Sequence, residues 1–447
     1  MFGNGLKARF LRSTSLSIVF FGTTQFLRLV SNLVLTRILF PEAFGLMALV
    51  TVFLTGLTMI SDTGISVSIQ QHKRGDEADF LDTAWTIQIL RGGILWIATW
   101  PIGWVISVFY ETPLLFWLLP AAGVTLLINS LTPTRVLTAA RHLQIGRPMI
   151  AEILTVAFGI ALTCLLAWWM QTVWALVWGM TAASLVRLGL LHLLVRARKN
   201  RLLLDWNITK ELLHFGKWIL LSSACGFLSR QGDKLVLGKY LTLQSLGIYQ
   251  IGFFLGGLPQ LLGTQIVSQV MLPYLRDRSP AASCENFMAF RRIRLLLTGS
   301  LLTITVVSAL IGPYFVSLLY DERYVMAGYI MVLISLAYIP LLFVQGYDQV
   351  VLSNGDSRGY AGVLALKATL SMSFLGLGAG YAGVIGAVTG LFIANIAYSS
   401  VIARQASKYG AWDPRLDFGF ALFGTGCVCV TVYIHYAGII DLYYFWV

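Results

Sequence analysis

Long apolar segments follow one another from one end of this chain to the other, each supplying the roughly 20 residues an α-helix needs to cross a ~30 Å hydrocarbon layer. Hydropathy and loop chemistry place thirteen of them, near 13–40, 43–70, 82–109, 114–140, 148–170, 172–195, 213–240, 245–273, 291–319, 326–353, 358–380, 383–404 and 417–440. Only 12% of the 447 residues are charged and 57% are hydrophobic, whereas a soluble domain carries about 25% charged residues. With a mean hydropathy of +0.76, the chain exceeds what a soluble core absorbs, so the expected class is an all-α polytopic membrane protein. The basic start, Lys7, Arg9 and Arg12, precedes a stretch too long, and too interrupted by Gln25, Arg28 and Asn32, for a signal peptide. It is read as a retained first span.

The loops give an orientation, because cytoplasmic connections are enriched in Lys and Arg. One side receives Lys7, Arg9 and Arg12, then Lys73 and Arg74, Arg141 and Arg147, and Arg196, Arg198, Lys199, Arg201 and Lys210. The same side continues with Arg276, Arg278, Arg291 and Arg292, then Arg358, Lys408 and Arg415. The opposite side has short turns such as Phe40-Pro41-Glu42 and Tyr110-Glu111-Thr112-Pro113. This places the N-terminus in the cytoplasm. The net charge of +12 is spread over these loops and forms no stripe with interleaved aromatics, which fits anionic membrane lipids as partners and not nucleic acid.

Two stretches carry one pattern. FLRLVSNLVLTRILFPEAFGLMAL surrounds Arg28 and FLSRQGDKLVLGKYLTLQSLGIYQI surrounds Arg230, so that Arg28 falls on Arg230, Arg37 on Lys239 and Gly45 on Gly247. With an even number of spans per unit, the copies are parallel repeats. Two six-helix lobes around a central cavity are expected, over residues 1–200 and 201–410, with one or two extra helices in 411–447. The linker is the basic segment from Arg196 to Lys210.

An ionisable residue within a span costs at least ~2.5–3.5 kcal/mol, so it needs a partner or a watery cavity. Gln25, Arg28 and Asn32 share one helical face, and Arg28 has no carboxylate nearby in sequence. A planar guanidinium suits bidentate contact with phosphate. Ser229, Arg230, Asp233 and Lys234 form the matching patch, where Asp233 can either neutralise Arg230 or serve transport. Asp62 with Arg91, and Asp348 with Lys367, are candidate pairs between helices. For each, structural neutralisation stands beside a carboxylate coupled to proton or cation movement. Arg135, Arg141, Glu152, Arg187 and His192 lie toward helix ends, where long side chains snorkel. Gly256, Gly257, Pro259, Pro133 and Pro340 provide either kinks or close packing.

There is no G-x-x-x-x-G-K-[ST] loop, H-E-x-x-H or G-x-S-x-G elbow. His72, His142, His192, His214 and His435 have no ligand spacing, and neither do Cys164, Cys225, Cys284, Cys427 and Cys429. No cofactor and no metal are expected, and the chain reads as a transporter of an anionic substrate and not as an enzyme.

The pattern from Gln25 to Arg37, then Leu-x-Pro-x-x-Phe-Gly-Leu-Met-Ala-Leu (Leu39 to Leu49), Ser61-Asp62-Thr63-Gly64 and Ile69-Gln70-Gln71, resembles the polysaccharide-transporter branch of the multidrug/oligosaccharidyl-lipid/polysaccharide exporter superfamily. Asp233 to Lys239 and Leu246 to Tyr249 are similar to the start of that family's second lobe. The resemblance covers roughly residues 10–405. It implies a V-shaped pair of lobes working by alternating access in a bacterial inner membrane. For Wzx-type members it implies flipping of undecaprenyl-diphosphate-linked oligosaccharide for lipopolysaccharide, capsule or exopolysaccharide. It further implies Arg28 and Arg230, then Lys234 and Arg91, with Gln25 and Asn32 beside them, as substrate contacts, and Asp62 and Asp233 as carboxylates for a coupling proton or sodium ion. A polysaccharide polymerase and chain-length complex are the implied partners. The departure is the span count, thirteen where members commonly have twelve or fourteen.

Several alternatives stand beside it. A multidrug exporter of the same superfamily would want an acidic cavity. A peptidoglycan-precursor flippase would favour fourteen spans, and a polymerase or ligase would carry a large outer loop. A non-transporting scaffold is the last.

Overall fold

The structure, a computed structural model, describes residues 4–142, 146–195, 200–271, 274–275 and 278–446. Arg196, Arg198, Lys199 and Arg276 of the basic loops lie outside the described residues. Helices joined by turns and short irregular segments make up the described chain, and ten helices among the described residues are long and apolar enough to cross a membrane.

The chain divides into two compact units, Met1–Phe227 and Leu228–Val447. The first contains α1 (Asn4–Ile38), α2 (Pro41–Ile60), α3 (Ile65–Gln71), α4 (Ala78–Phe109), α5 (Leu115–Ser130), α6 (Arg135–Arg141), α7 (Gly146–Met170) and α8 (Trp174–Leu194). The boundary falls inside α9 (Trp206–Tyr240). The second unit continues with α10 (Leu243–Ile266), α11 (Cys284–Leu319), α12 (Met326–Phe343), α13 (Tyr347–Ser353), α14 (Ser357–Ser407), α15 (Pro414–Ile434) and α16 (Tyr436–Trp446).

The turns between spans carry their own chemistry. Pro41, with φ already fixed, opens α2 after extended Phe40. Thr242, Ser283 and Asp413 accept hydrogen bonds from the backbone N–H groups of Ser245, Asn286 and Leu416, capping α10, α11 and α15.

Three expected spans, 43–70, 114–140 and 326–353, each resolve into a long helix and a seven-residue one. α2 breaks into α3 at Gly64, α5 into α6 beside Pro133, and α12 into α13 at Gly346. Gly64 and Gly346 take φ of 67° and 95°, which a side chain would oppose. The fourth span of each unit therefore ends in the same way, and the packing repeats too. α5 packs on α2 and α4 in the first unit, and α12 packs on α10 and α11 in the second. Gly252 and Gly256 of α10 lie so close to Ala327, Ile330, Met331 and Ile334 of α12 that an added Cβ would collide with them. Close packing accounts for these glycines.

The expected pair 358–380 and 383–404 forms one 51-residue helical element broken at Ala382 and Gly383, where the backbone leaves helical geometry. The two limbs approach backbone to backbone, since a Cβ at Gly378 would strike the carbonyl of Gly386 and one at Gly386 that of Gly378. The last expected span, 417–440, ends at Ile434, and α16 follows as an 11-residue helix, shorter than a membrane crossing.

After α8 the chain is pinned to α4. Asp82 accepts from the backbone N–H of Arg201 (3.1 Å) and Nδ2 of Asn200 (3.3 Å), while Leu203 N–H donates to Thr86 Oγ1 and Asp205 N–H to Thr83 Oγ1. A polar face of α4 thus holds residues 200–205 against the first unit.

At the start of α14, Asp356 accepts from Gly359 N–H (2.8 Å) and Tyr409 Oη (2.7 Å). The Tyr409 hydrogen bond first, then the Gly359 N–H, then Gln405 and the charge of Lys408, hold this carboxyl below its ordinary value. A depressed carboxyl stabilises the fold above its unfolded pKa, near 3.9, and the contribution is lost as pH falls through the folded value. Hydrogen exchange at the first turn of α14 is therefore expected to accelerate below about pH 4. In Asp356→Asn it should be insensitive to pH, once corrected for intrinsic exchange.

Candidate cationic site

On α1, Thr24 and Thr36 bond back to the carbonyl groups of Phe21 and Asn32, so their hydroxyls are spent on their own helix. Arg28 is exposed and has no hydrogen-bond or ion-pair partner among the described residues. One turn earlier Gln25 buries its Oε1 without a partner, and Asn32 is half-buried. α1 packs on α7. The polar face expected from sequence therefore offers a guanidinium to whatever lies beside it.

Arg91 of α4 is half-buried and clamps the end of α2, with Nε donating to Ser61 Oγ (3.0 Å) and Nη2 to the Thr58 carbonyl (2.5 Å). Asp62 accepts the Gly64 N–H at 2.9 Å and acts on Arg91 electrostatically. The expected direct pair between Asp62 and Arg91 is not formed. The carboxylate caps the turn into α3, and the guanidinium satisfies one backbone carbonyl at the C-terminus of α2, that of Thr58, and the hydroxyl of the following Ser61.

In the second unit Asp233 and Lys234 are buried, 7% and 8% exposed. Asp233 accepts from Tyr249 Oη at 2.9 Å and faces the charge of Lys234. Lys234 donates to Gln231 Oε1 (2.9 Å) and lies 5.4 Å from the centre of the Phe253 ring. The expected neutralisation of Arg230 by Asp233 is thus replaced by a Tyr249–Asp233–Lys234 group, because Tyr249 of α10 sits at the carboxylate. Arg230 remains exposed, and it interacts electrostatically with Lys367 and Tyr360 of α14. Lys367 stands over the Tyr398 ring at 4.8 Å, and Asp348 of α13, which accepts from Gln349 Nε2, supplies its opposing charge. Arg230, Lys367 and Asp348 therefore form one group with an excess positive charge.

The structure gathers the candidates into separate groups. Gln25, Arg28 and Asn32 share α1, Asp62 and Arg91 join α2 to α4, and Arg230 lies with Lys367 near buried Asp233 and Lys234. Of the residues expected to snorkel, Arg187 pairs with Glu152 (2.8 Å), and Arg141 binds the Ile69 carbonyl and Asp76.

One polar centre was not anticipated. Arg294 is fully buried in α11, donating to Tyr347 Oη (2.5 Å), the Phe343 carbonyl (2.5 Å) and Asp417 Oδ1 (2.6 Å), with Tyr347 Oη donating to Asp417 Oδ2 (2.8 Å). It ties α11, α12, α13 and α15 together. The signal was available, since Arg294 falls on the stripe Phe290, Thr298, Leu301, Thr305 and Ala309, which is all core.

Ten helices long and apolar enough to cross a membrane, set in two compact units, define a polytopic membrane protein. The sequence model described as "Polysaccharide biosynthesis protein" matches residues 34–337, so the chain belongs to that family. It is 21% identical to the teichuronic acid biosynthesis protein TuaB of Bacillus subtilis (strain 168) over 301 residues, 66% of this chain. That match covers 61% of TuaB.

Among solved structures, the lipid II flippase MurJ in an inward closed conformation superposes with a TM-score of 0.73 at 12% identity, covering 97% of this chain and 98% of that one. An inward-facing multidrug resistance MATE family transporter of the MOP superfamily gives 0.66 at 13% identity, covering 88% and 99%. At these identities the likeness is one of fold. The family match, over residues 34–337, is what agrees with the polysaccharide-transporter resemblance of the sequence motifs.

Proposed function

We propose that this protein is a flippase that carries undecaprenyl-diphosphate-linked oligosaccharide from the cytoplasmic to the outer leaflet of a bacterial inner membrane, for lipopolysaccharide, capsule or exopolysaccharide assembly. The observation that carries this reading is the repeated arginine. Arg28 and Arg230 occupy matching positions of α1 and α9, and both are exposed. Two guanidiniums on repeated helices are suited to a diphosphate that has left water. Family membership in polysaccharide biosynthesis and a fold shared with a lipid II flippase support the same conclusion.

Arg28 and Arg230 take the diphosphate or acidic sugars in this scheme. Gln25 and Asn32 extend the α1 face, and Lys234 and Arg91 reach cargo only after their present hydrogen bonds open. Asp62 and Asp233 are the carboxylates whose protonation or sodium occupancy would couple transport, with the N-terminus cytoplasmic and a polymerase and chain-length complex receiving the product.

The MATE likeness raises drug export as a second reading. A cationic drug would be repelled by the exposed arginine of either repeat. A strain lacking the gene separates the two readings. The flippase account expects loss of surface polysaccharide with restoration by the intact gene and unchanged tolerance of cationic drugs, whereas drug sensitivity with normal polysaccharide would reject it.

A further inference from the structure

A groove of about 400 Å³ runs between α11 and α15 of the second unit. Its walls include Leu295, Gly299 and Leu302 of α11 and Gly419, Phe420 and Phe423 of α15. Phe420 is braced from behind by stacking on Phe343 of α12, with ring planes 8° apart. A Cβ built on Gly299 or Gly419 would meet nothing within 4 Å. The groove is therefore open room held by fixed walls.

Arg291 and Arg415 also line it. The carboxylates nearby are already committed, Asp413 to Arg291 at 3.0 Å and Asp417 to Arg294 at 2.6 Å. Arg415 has no hydrogen-bond or ion-pair partner among the described residues. An apolar trough with an uncompensated cation matches a lipid whose headgroup is anionic. The positive-inside pattern places these arginines toward the cytoplasmic leaflet, where anionic headgroups collect.

We propose that this groove is a binding site for an anionic glycerophospholipid, with one acyl chain between α11 and α15 and the phosphate on Arg415 and Arg291. The volume suits one acyl chain and is far too small for a polyprenyl tail, and a free phosphate ion would gain nothing from the apolar walls. The last span, which lies outside the duplication, then provides one wall of a lipid site. This site stands independently of the cargo assignment.

The test uses the full-length protein in detergent, titrated with phosphatidylglycerol or phosphatidylcholine of identical chains and read by native mass spectrometry. The intact protein should retain phosphatidylglycerol preferentially, and Arg415→Gln should lower that retention about five-fold, the weight of one basic residue toward an anionic headgroup. Gly419→Leu, which fills the trough, should abolish retention of both lipids, while Gly419→Ala should behave as the intact protein. If Gly419→Leu does not give a monodisperse protein, Gly299→Leu fills the same space from the opposite wall. Unchanged retention in the filled variants would overturn the site. Displacement of bound phosphatidylglycerol by undecaprenyl phosphate, or by inorganic phosphate alone, would overturn the choice of ligand.

Discussion

Arg294→Ala is expected to destabilise the second unit by about 3–5 kcal/mol, the usual consequence of removing one member of a buried charge pair. The guanidinium is wholly inaccessible, and its partner Asp417 is 17% exposed at the side chain. Its loss strands the Asp417 carboxylate, the Tyr347 hydroxyl and the Phe343 carbonyl together. Asp417→Ala leaves the complementary buried cation and should cost a similar amount. Replacing both, as in Arg294→Met with Asp417→Leu, removes the charges in concert and should recover much of the loss, because apolar substitutes avoid the desolvation cost. Thermal unfolding of detergent-purified protein measures this. Melting of Arg294→Ala at the intact temperature would show that the network adds nothing to the fold.

Arg28→Ala and Arg230→Ala are each expected to reduce polysaccharide export about ten-fold or more, since a charged hydrogen bond to phosphate is worth about 1.5–3 kcal/mol. Arg28 lies exposed on α1, so its removal should leave expression intact. Arg28→Lys and Arg230→Lys keep the charge and lose the bidentate fork, and so should fall between the intact protein and the alanine variants. Export is measured as surface polysaccharide in a strain lacking the gene and complemented with each variant, at matched protein level. Normal export by the double alanine variant would reject the anion-binding role.

The spans were legible in sequence because apolar length is a direct readout of bilayer thickness. Each of the thirteen expected segments corresponds to helical structure. What hydropathy missed were the breaks within 43–70, 114–140 and 326–353, since a window of about 19 residues averages across a turn of a few residues. The local marks were Gly64, Pro133 and Gly346, where backbone chemistry and not hydropathy decides.

Charged positions were legible as positions, less so as pairings. Spacing offered Asp62 with Arg91 and Arg230 with Asp233, yet Arg91 and Asp233 took partners that only packing supplies, Ser61 and Thr58 for Arg91 and Tyr249 for Asp233, while Asp62 took the N–H of Gly64. Arg294 escaped notice because Arg291 and Arg292 precede it, making it look like the tail of a basic loop. Its place on the core stripe of α11 was the clue.

The proposed movement of a lipid-linked oligosaccharide between leaflets is read in a strain lacking the gene, by the accessibility of the undecaprenyl-diphosphate-linked oligosaccharide to a glycan-modifying enzyme confined to the periplasm. Inaccessible, cytoplasmic-side accumulation is expected, relieved by the intact gene and not by Arg28→Ala. Undiminished modification in the strain without the gene would contradict it.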